Sequence, residues 1–209
     1  MDVPTLHAAY WMRKTQIRSR LAEFAALPDD AIFYEVCFCI LTPQSSGRRC
    51  GECVELLRDM DFQGRKYAAP AVARILRKKT RFHKTKARYL LELKRRYPVI
   101  RDYLLAQRGQ KGSGSAAREF LVAQVKGFGY KEASHLLRNI GFRDLAILDR
   151  HILNSMRELG IIRSLPKSVS RNIYLDLEQR LLQFARRARI PADELDLLLW
   201  SMKTGEIYK

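Results

Sequence analysis

The sequence predicts an all-α protein. Apolar residues recur in steps of three and four along most of the chain, sustained β alternation is missing, and the stretches between periodic segments are short. In order, Leu6-Tyr10-Ile17-Leu21-Phe24, Ile32-Val36-Ile40, Val54-Leu57, Val72-Ile75-Leu76, Tyr89-Leu90-Leu93, Phe120-Leu121 and Ile173-Leu177-Leu181-Phe184 each mark the apolar stripe of a helix. Starts are signposted by Pro28-Asp29-Asp30, Ser115, Ser168 and Pro191-Ala192-Asp193-Glu194, where a short polar side chain can take an end N–H or a proline opens the first turn. Pro98, Gly109, Gly141 and Gly160 read as stops. The passage from Gly109 to Ser115 has the composition of a mobile loop.

A chain of 209 residues has room for one large core or two smaller subdomains sharing a cleft, and the second is expected. No run approaches the roughly 18 apolar residues of a membrane span, and the N-terminus lacks a signal-peptide pattern. The expectation is an intracellular protein of the cytoplasm or nucleoid, without a membrane partner. With 39 Lys+Arg against 22 Asp+Glu the formal charge is +17, spread over many segments, which favours nucleic acid over an anionic lipid surface. His83, Lys84, Lys86 and Arg88 form one basic segment and Arg48-Arg49 another, both suited to phosphates.

Cys37-x-Cys39 and Cys50-x-x-Cys53 supply four potential zinc ligands. Residues two apart on a helix point about 200° from one another, however, so Cys37 and Cys39 suit burial better than chelation. No metal is expected.

The segment Val125-Lys126-Gly127-Phe128-Gly129-Tyr130-Lys131 lies between two helical patterns. Its two glycines allow positive φ and close backbone approach, so main-chain N–H groups and the following helix's N-terminal end can hold a phosphate whatever the base sequence. Lys126, Gly127, Phe128 and Gly129 are therefore candidate DNA contacts. Lys131 falls on the first turn of the second helix. Asp149, in Ile147-Leu148-Asp149-Arg150-His151, follows it by 149 − 131 = 18 residues and also reads as a helix N-cap.

This combination resembles the helix-hairpin-helix base-excision glycosylases. Within them the chain is similar to the second family of 8-oxoguanine DNA glycosylase/AP lyases, in the run Lys126 to His135, in Arg81-Phe82-His83-Lys84-Thr85-Lys86-Ala87-Arg88-Tyr89, and in the ending Trp200-Ser201-Met202-Lys203-Thr204-Gly205-Glu206-Ile207-Tyr208-Lys209. The resemblance implies two helical subdomains flanking a DNA-binding cleft: a barrel over about 28–142, carrying the helix-hairpin-helix near 115–141, and a second cluster from 1–27 with 143–209. It implies that Lys131 is the nucleophile and Asp149 its carboxylate partner, on opposite lips of one groove. It also implies that the carboxylate of a terminal lysine, here Lys209, reads the base. Some relatives carry an iron–sulfur loop near the C-terminus; no cysteine follows Cys53, so no cofactor is expected.

The chemistry implied is attack of the Lys131 amine at C1′, giving a Schiff base that undergoes β-elimination, with Asp149 accepting a proton and stabilising positive charge on the sugar. Attack needs a neutral amine, which burial and positive charge from Lys126 or the helix terminus would favour. A flipped base needs apolar faces, for which Phe82 and Trp200 are candidates. Sensing the N7 proton of 8-oxoguanine needs a carbonyl, assigned to Pro43 or Gln44, and Gln44 is also suited to fill the space the base leaves. Arg48, Lys84 and Lys86 complete the expected DNA contacts. The expectation is a monomer acting on damaged DNA, bearing 8-oxoguanine or an abasic site. The alternatives are a glycosylase/lyase for another oxidised base, or a non-catalytic helix-hairpin-helix that only grips DNA.

Overall fold

The computed structural model describes residues 2–208, all of whose regular elements are helical. The chain divides into two compact units, Leu27–Leu136 and Met1–Ala26 with Leu137–Lys209. The division falls inside a helix, six residues before the expected boundary at 142.

In the Leu27–Leu136 unit, a 3-10 turn at Asp29–Ala31 leads into α2, Ile32–Leu41, whose ten residues are all buried. A helix apolar on every side belongs at the centre of a core, and here α2 packs against α3 (Gly47–Asp59) and α5 (His83–Gln107). The short α4, Ala69–Leu76, lies on α5, as does α6, Gly114–Gln124, through Tyr103 and Phe120 stacked 3.8 Å apart. Pro98 does not stop α5 as expected. It sits on the exposed face, where water can serve the Lys94 carbonyl it orphans, while Leu93, Tyr97, Ile100 and Leu104 stay buried on the other. The Gly109–Ser115 passage is tied rather than loose: the buried Ser113 hydroxyl bonds to the carbonyls of Gln107 and Gln110 at 2.9 and 2.8 Å.

In the other unit, α1 (Val3–Ala25) is capped by Asp2, whose carboxylate accepts from the Thr5 N–H at 2.9 Å. It packs on α10, Ala192–Thr204, which also meets α8 (Arg150–Glu158) and α9 (Arg171–Ala188). Asp193 through Leu199 are buried without a break. The cap of α9 is Ser170 rather than Ser168, and Ile173, expected in its core stripe, is exposed. Helix α7 runs from Tyr130 to Asn139.

Candidate active site

The hairpin between α6 and α7 is fixed by sterics. Gly127 has φ +89°, and a Cβ there would lie 2.6 Å from Cδ2 of Tyr89, so both conformation and space demand glycine. Gly129 differs from expectation in lacking a positive φ. Phe128 is buried, which makes its side chain an anchor for the turn rather than a DNA contact. Two of the N–H groups expected to face a phosphate are engaged internally: that of Phe128 donates to the Val125 carbonyl at 3.1 Å, and that of Gly129 to Glu132 Oε2 at 3.1 Å. The second contact has the geometry of a glutamate on the first turn reaching back to the residue before the helix.

Lys131 is about a quarter exposed, and its Nζ lies 3.3 Å from Glu132 Oε1. One carboxylate therefore caps α7 and pairs with the candidate nucleophile. Helices α6 and α7 are cross-linked beside it. Tyr130 donates to Glu119, and buried Arg118 lies over the Tyr130 ring and donates to Ser134 Oγ at 3.2 Å.

The turn from Thr42 to Ser46 shows what sequence reasoning missed. Lys86, expected as a phosphate contact, is only 4 % exposed, and its Nζ lies 2.7 Å from the Leu41 carbonyl, 2.9 Å from the Pro43 carbonyl and 2.9 Å from Ser45 Oγ. An ammonium has three donors, and these three acceptors use them all, leaving none for DNA. Burial pushes this ammonium down to about 8, reinforced by Lys131 and opposed by the Cys50 and Cys53 thiols. Ser45 Oγ also accepts from the Arg81 N–H at 3.0 Å, joining the turn to Phe82. Phe82 is half-exposed at φ +57°, with the Arg81 guanidinium 5.4 Å from its ring centre. Gln44 is exposed at φ +53°, as are the side chains of Arg48, Lys84 and Lys126. All four cysteines are buried; burial pushes the thiol of Cys50 up to about 12 and that of Cys53 to about 11. Among the described residues no three His, Cys, Asp or Glu side chains gather as a metal would require.

Asp149 belongs to the other unit. Its Oδ1 accepts from the Ile152 N–H at 2.8 Å, capping α8. The segment before it, Asp144 to Leu148, is neither helix nor strand, and side chains from α9 and α10 take four of its N–H groups. Asp193 receives that of Asp144 at 3.2 Å, Glu178 that of Ala146 at 2.9 Å, Asp196 that of Ile147 at 3.4 Å and the Tyr174 hydroxyl that of Leu148 at 3.4 Å. Tyr174 in turn donates to the Ala146 carbonyl at 2.6 Å. Asp196 is buried against Arg138, 3.1 Å away. Burial raises its carboxyl to about 7, opposed by Arg138 and reinforced by the charge of Asp149. Two of the acids in this cradle, Asp193 and Asp196, stand in the run Asp193-Glu194-Leu195-Asp196-Leu197-Leu198-Leu199, where buried carboxylates need partners although the sequence does not name them. On α10, Trp200 is partly buried. Lys209 lies outside the described residues.

A family model described as 8-oxoguanine DNA glycosylase matches residues 17–190. The chain belongs to the 8-oxoguanine DNA glycosylase family. A Korarchaeum cryptofilum protein named 8-oxoguanine DNA glycosylase/AP lyase is 37% identical over 194 residues, covering 92% of this chain and 90% of its own length. One of the same name from Fusobacterium nucleatum is 34% identical, over 96% and 94%. The crystal structure of Methanocaldococcus jannaschii 8-oxoguanine DNA glycosylase superimposes with a TM-score of 0.87 at 32% identity, covering 99% of this chain and 95% of that one. The same organism's 8-oxoguanine glycosylase/lyase, in complex with a 15mer DNA containing 8-oxoguanine, gives 0.86 at 31%, over 98% and 99%. Each of these matches spans both units of the chain.

Proposed function

We propose that this member of the family excises 8-oxoguanine from DNA and nicks the strand at the abasic site it creates, with Lys131 as nucleophile and Asp149 as its carboxylate partner. Relatives that share a third of its residues over nearly the whole chain carry the name 8-oxoguanine DNA glycosylase/AP lyase, and the observation that carries the assignment of roles is Lys131 on the first turn of α7, directly after the Gly127 hairpin. Neutral Nζ attacks C1′; the bond from C1′ to the base breaks, and the base leaves with the bonding pair and takes up a proton. Asp149 accepts a proton and stabilises the charge that develops on the sugar. The C1′–O4′ bond of the resulting aminal then breaks: O4′ leaves with the bonding pair and takes up a proton, and the nitrogen lone pair closes the C1′=N double bond of the protonated Schiff base. Loss of the C2′ proton then breaks the C3′–O bond and expels the 3′ phosphate, and hydrolysis returns the lysine.

Phe82 and Trp200 supply faces for the flipped base, and the Pro43 or Gln44 carbonyl accepts from its N7–H. Gly127, Lys126, Arg48 and Lys84 hold the phosphates, and Gln44 fills the vacated space. The protein works as a monomer in the cytoplasm or nucleoid and needs no cofactor. No helix among the described residues is long and apolar enough to cross a membrane.

The test is base release and strand nicking on a duplex with one 8-oxoguanine opposite cytosine, beside duplexes carrying an oxidised pyrimidine. Release of 8-oxoguanine with nicking supports the reading. Release only of the pyrimidine moves the substrate, and tight binding with neither product reduces the protein to a DNA-gripping module.

A further inference from the structure

Lys86, expected among the DNA contacts, is instead a buried cation whose three donors gather the Leu41 carbonyl at the end of α2, the Pro43 carbonyl and the Ser45 hydroxyl. Ser45 carries the connection onward to the Arg81 N–H, and the Lys86 N–H itself closes the first turn of α5 on the Phe82 carbonyl at 3.0 Å. Cys50 adds a second donor to the Leu41 carbonyl, at 3.2 Å. Two stretches some 40 positions apart, the Thr42–Ser46 turn and the Arg81-Phe82 turn, are thereby tied through one ammonium and one hydroxyl. Both tied stretches are strained in the same sense: Gln44 at φ +53° and Phe82 at φ +57° occupy the left-handed region that non-glycine residues seldom enter. Such conformations persist where the surroundings over-determine them, and the Lys86 and Ser45 bonds are the restraints on either side.

We propose that Lys86 is a positioning residue for recognition of the oxidised base: it holds the Pro43-Gln44 backbone and the Phe82 ring in one register, and selectivity for the lesion depends on it although all of its donors point into the protein. The proposal rests on the function proposed above, which assigns Pro43, Gln44 and Phe82 to the base. It separates two steps. Excision requires the base to be read, whereas nicking of an abasic site already present requires only the sugar and Lys131.

Lys86→Met keeps the apolar stem and removes the donors, and Ser45→Ala removes one acceptor and the tie to Arg81. Wild type and both variants are compared for 8-oxoguanine release opposite cytosine, for guanine release from the undamaged duplex, and for nicking at a preformed abasic site, with circular dichroism as a check on folding. A misplacement near 1 Å costs on the order of 100-fold in rate, so Lys86→Met is expected to slow 8-oxoguanine release by about that factor, and Ser45→Ala by about tenfold, while abasic nicking stays within about threefold. A merely structural role predicts equal loss of both activities, and that result overturns the proposal. So does a Lys86→Met variant that releases 8-oxoguanine at the wild-type rate. Should Lys86→Met not fold, Ser45→Ala decides by the same split. Wild type that nicks abasic DNA but leaves 8-oxoguanine in place overturns the substrate reading instead, and this proposal with it.

Discussion

The surroundings of Lys131 and of Asp149 are built on different principles. Lys131 is placed by its own neighbourhood in sequence: a glycine that only φ +89° and the Tyr89 ring explain, a buried Phe128, and a glutamate one residue on that both caps the helix and pairs with the amine. Asp149 is placed from a distance. Its own contribution is a cap on α8, but the segment delivering it hangs on Tyr174, Glu178, Asp193 and Asp196, 25 to 50 positions later in the chain. A backbone constraint is local and stiff, whereas a cradle of buried acids depends on every member keeping its hydrogen bond. The lysine's setting should therefore respond to changes of shape, and the aspartate's to changes of charge.

The largest expected effect separates charge from cap at Asp149. Asparagine caps a helix about as well as aspartate, so Asp149→Asn should leave stability within about 0.5 kcal/mol while lowering single-turnover excision by about 10²–10⁴-fold, whereas Asp149→Ala should lose a further ~1 kcal/mol in urea unfolding. A fully active Asp149→Asn would leave Asp149 only its structural task.

Gly127→Ala tests the hairpin's shape. The added methyl meets Tyr89 at a backbone angle alanine avoids, and the expected destabilisation is about 1–3 kcal/mol. Adding Tyr89→Ala should recover the part due to the clash but not the part due to φ. Equal stability of all three proteins would mean that the hairpin relaxes freely.

How far the two settings were legible in the sequence follows the same division. Glycines, caps and a three-to-four residue period are local signals, and they disclosed the all-α fold, the hairpin and the capping role of Asp149. The cradle was not legible, because nothing in Leu145-Ala146-Ile147-Leu148 says which distant acid takes each N–H. Lys86 failed for a related reason: a lysine in a basic segment reads as solvated, and only the fold brings the Leu41 and Pro43 carbonyls to it. Pro98 reads as a stop because proline loses an N–H and crowds the carbonyl four residues back, whereas the burial of Leu93, Tyr97, Ile100 and Leu104 on the opposite face carries α5 through it.

A smaller effect concerns Asp196. Its carboxyl is raised to about 7, first by burial, whereas in the unfolded chain it returns to the ordinary range. Between about pH 4 and 7 the folded protein keeps a proton that the unfolded chain releases. Stability from this group is thus full at low pH and is lost as pH rises towards 7. The melting temperature of wild type relative to Asp196→Asn should fall across that window and level off above it; a difference that grows with pH would show that the Arg138 pair outweighs burial.

The smallest effect belongs to Glu132→Gln. Glutamine can still reach the Gly129 N–H, so only the contact with Lys131 changes, and a part-exposed ion pair contributes less than about 0.5–1 kcal/mol. A larger loss in urea unfolding would mean that the pair, not the cap, holds the start of α7.

The claim on which the rest depends is that Lys131 bonds covalently to the sugar. Borohydride reduction during reaction with a duplex bearing 8-oxoguanine opposite cytosine tests it, with wild type beside Lys131→Gln. Wild type should give a protein–DNA adduct and the variant none, although the variant should still bind the lesion duplex. An adduct of equal yield in both proteins would place the nucleophile elsewhere, and 8-oxoguanine release by wild type without any adduct would contradict the Schiff base itself.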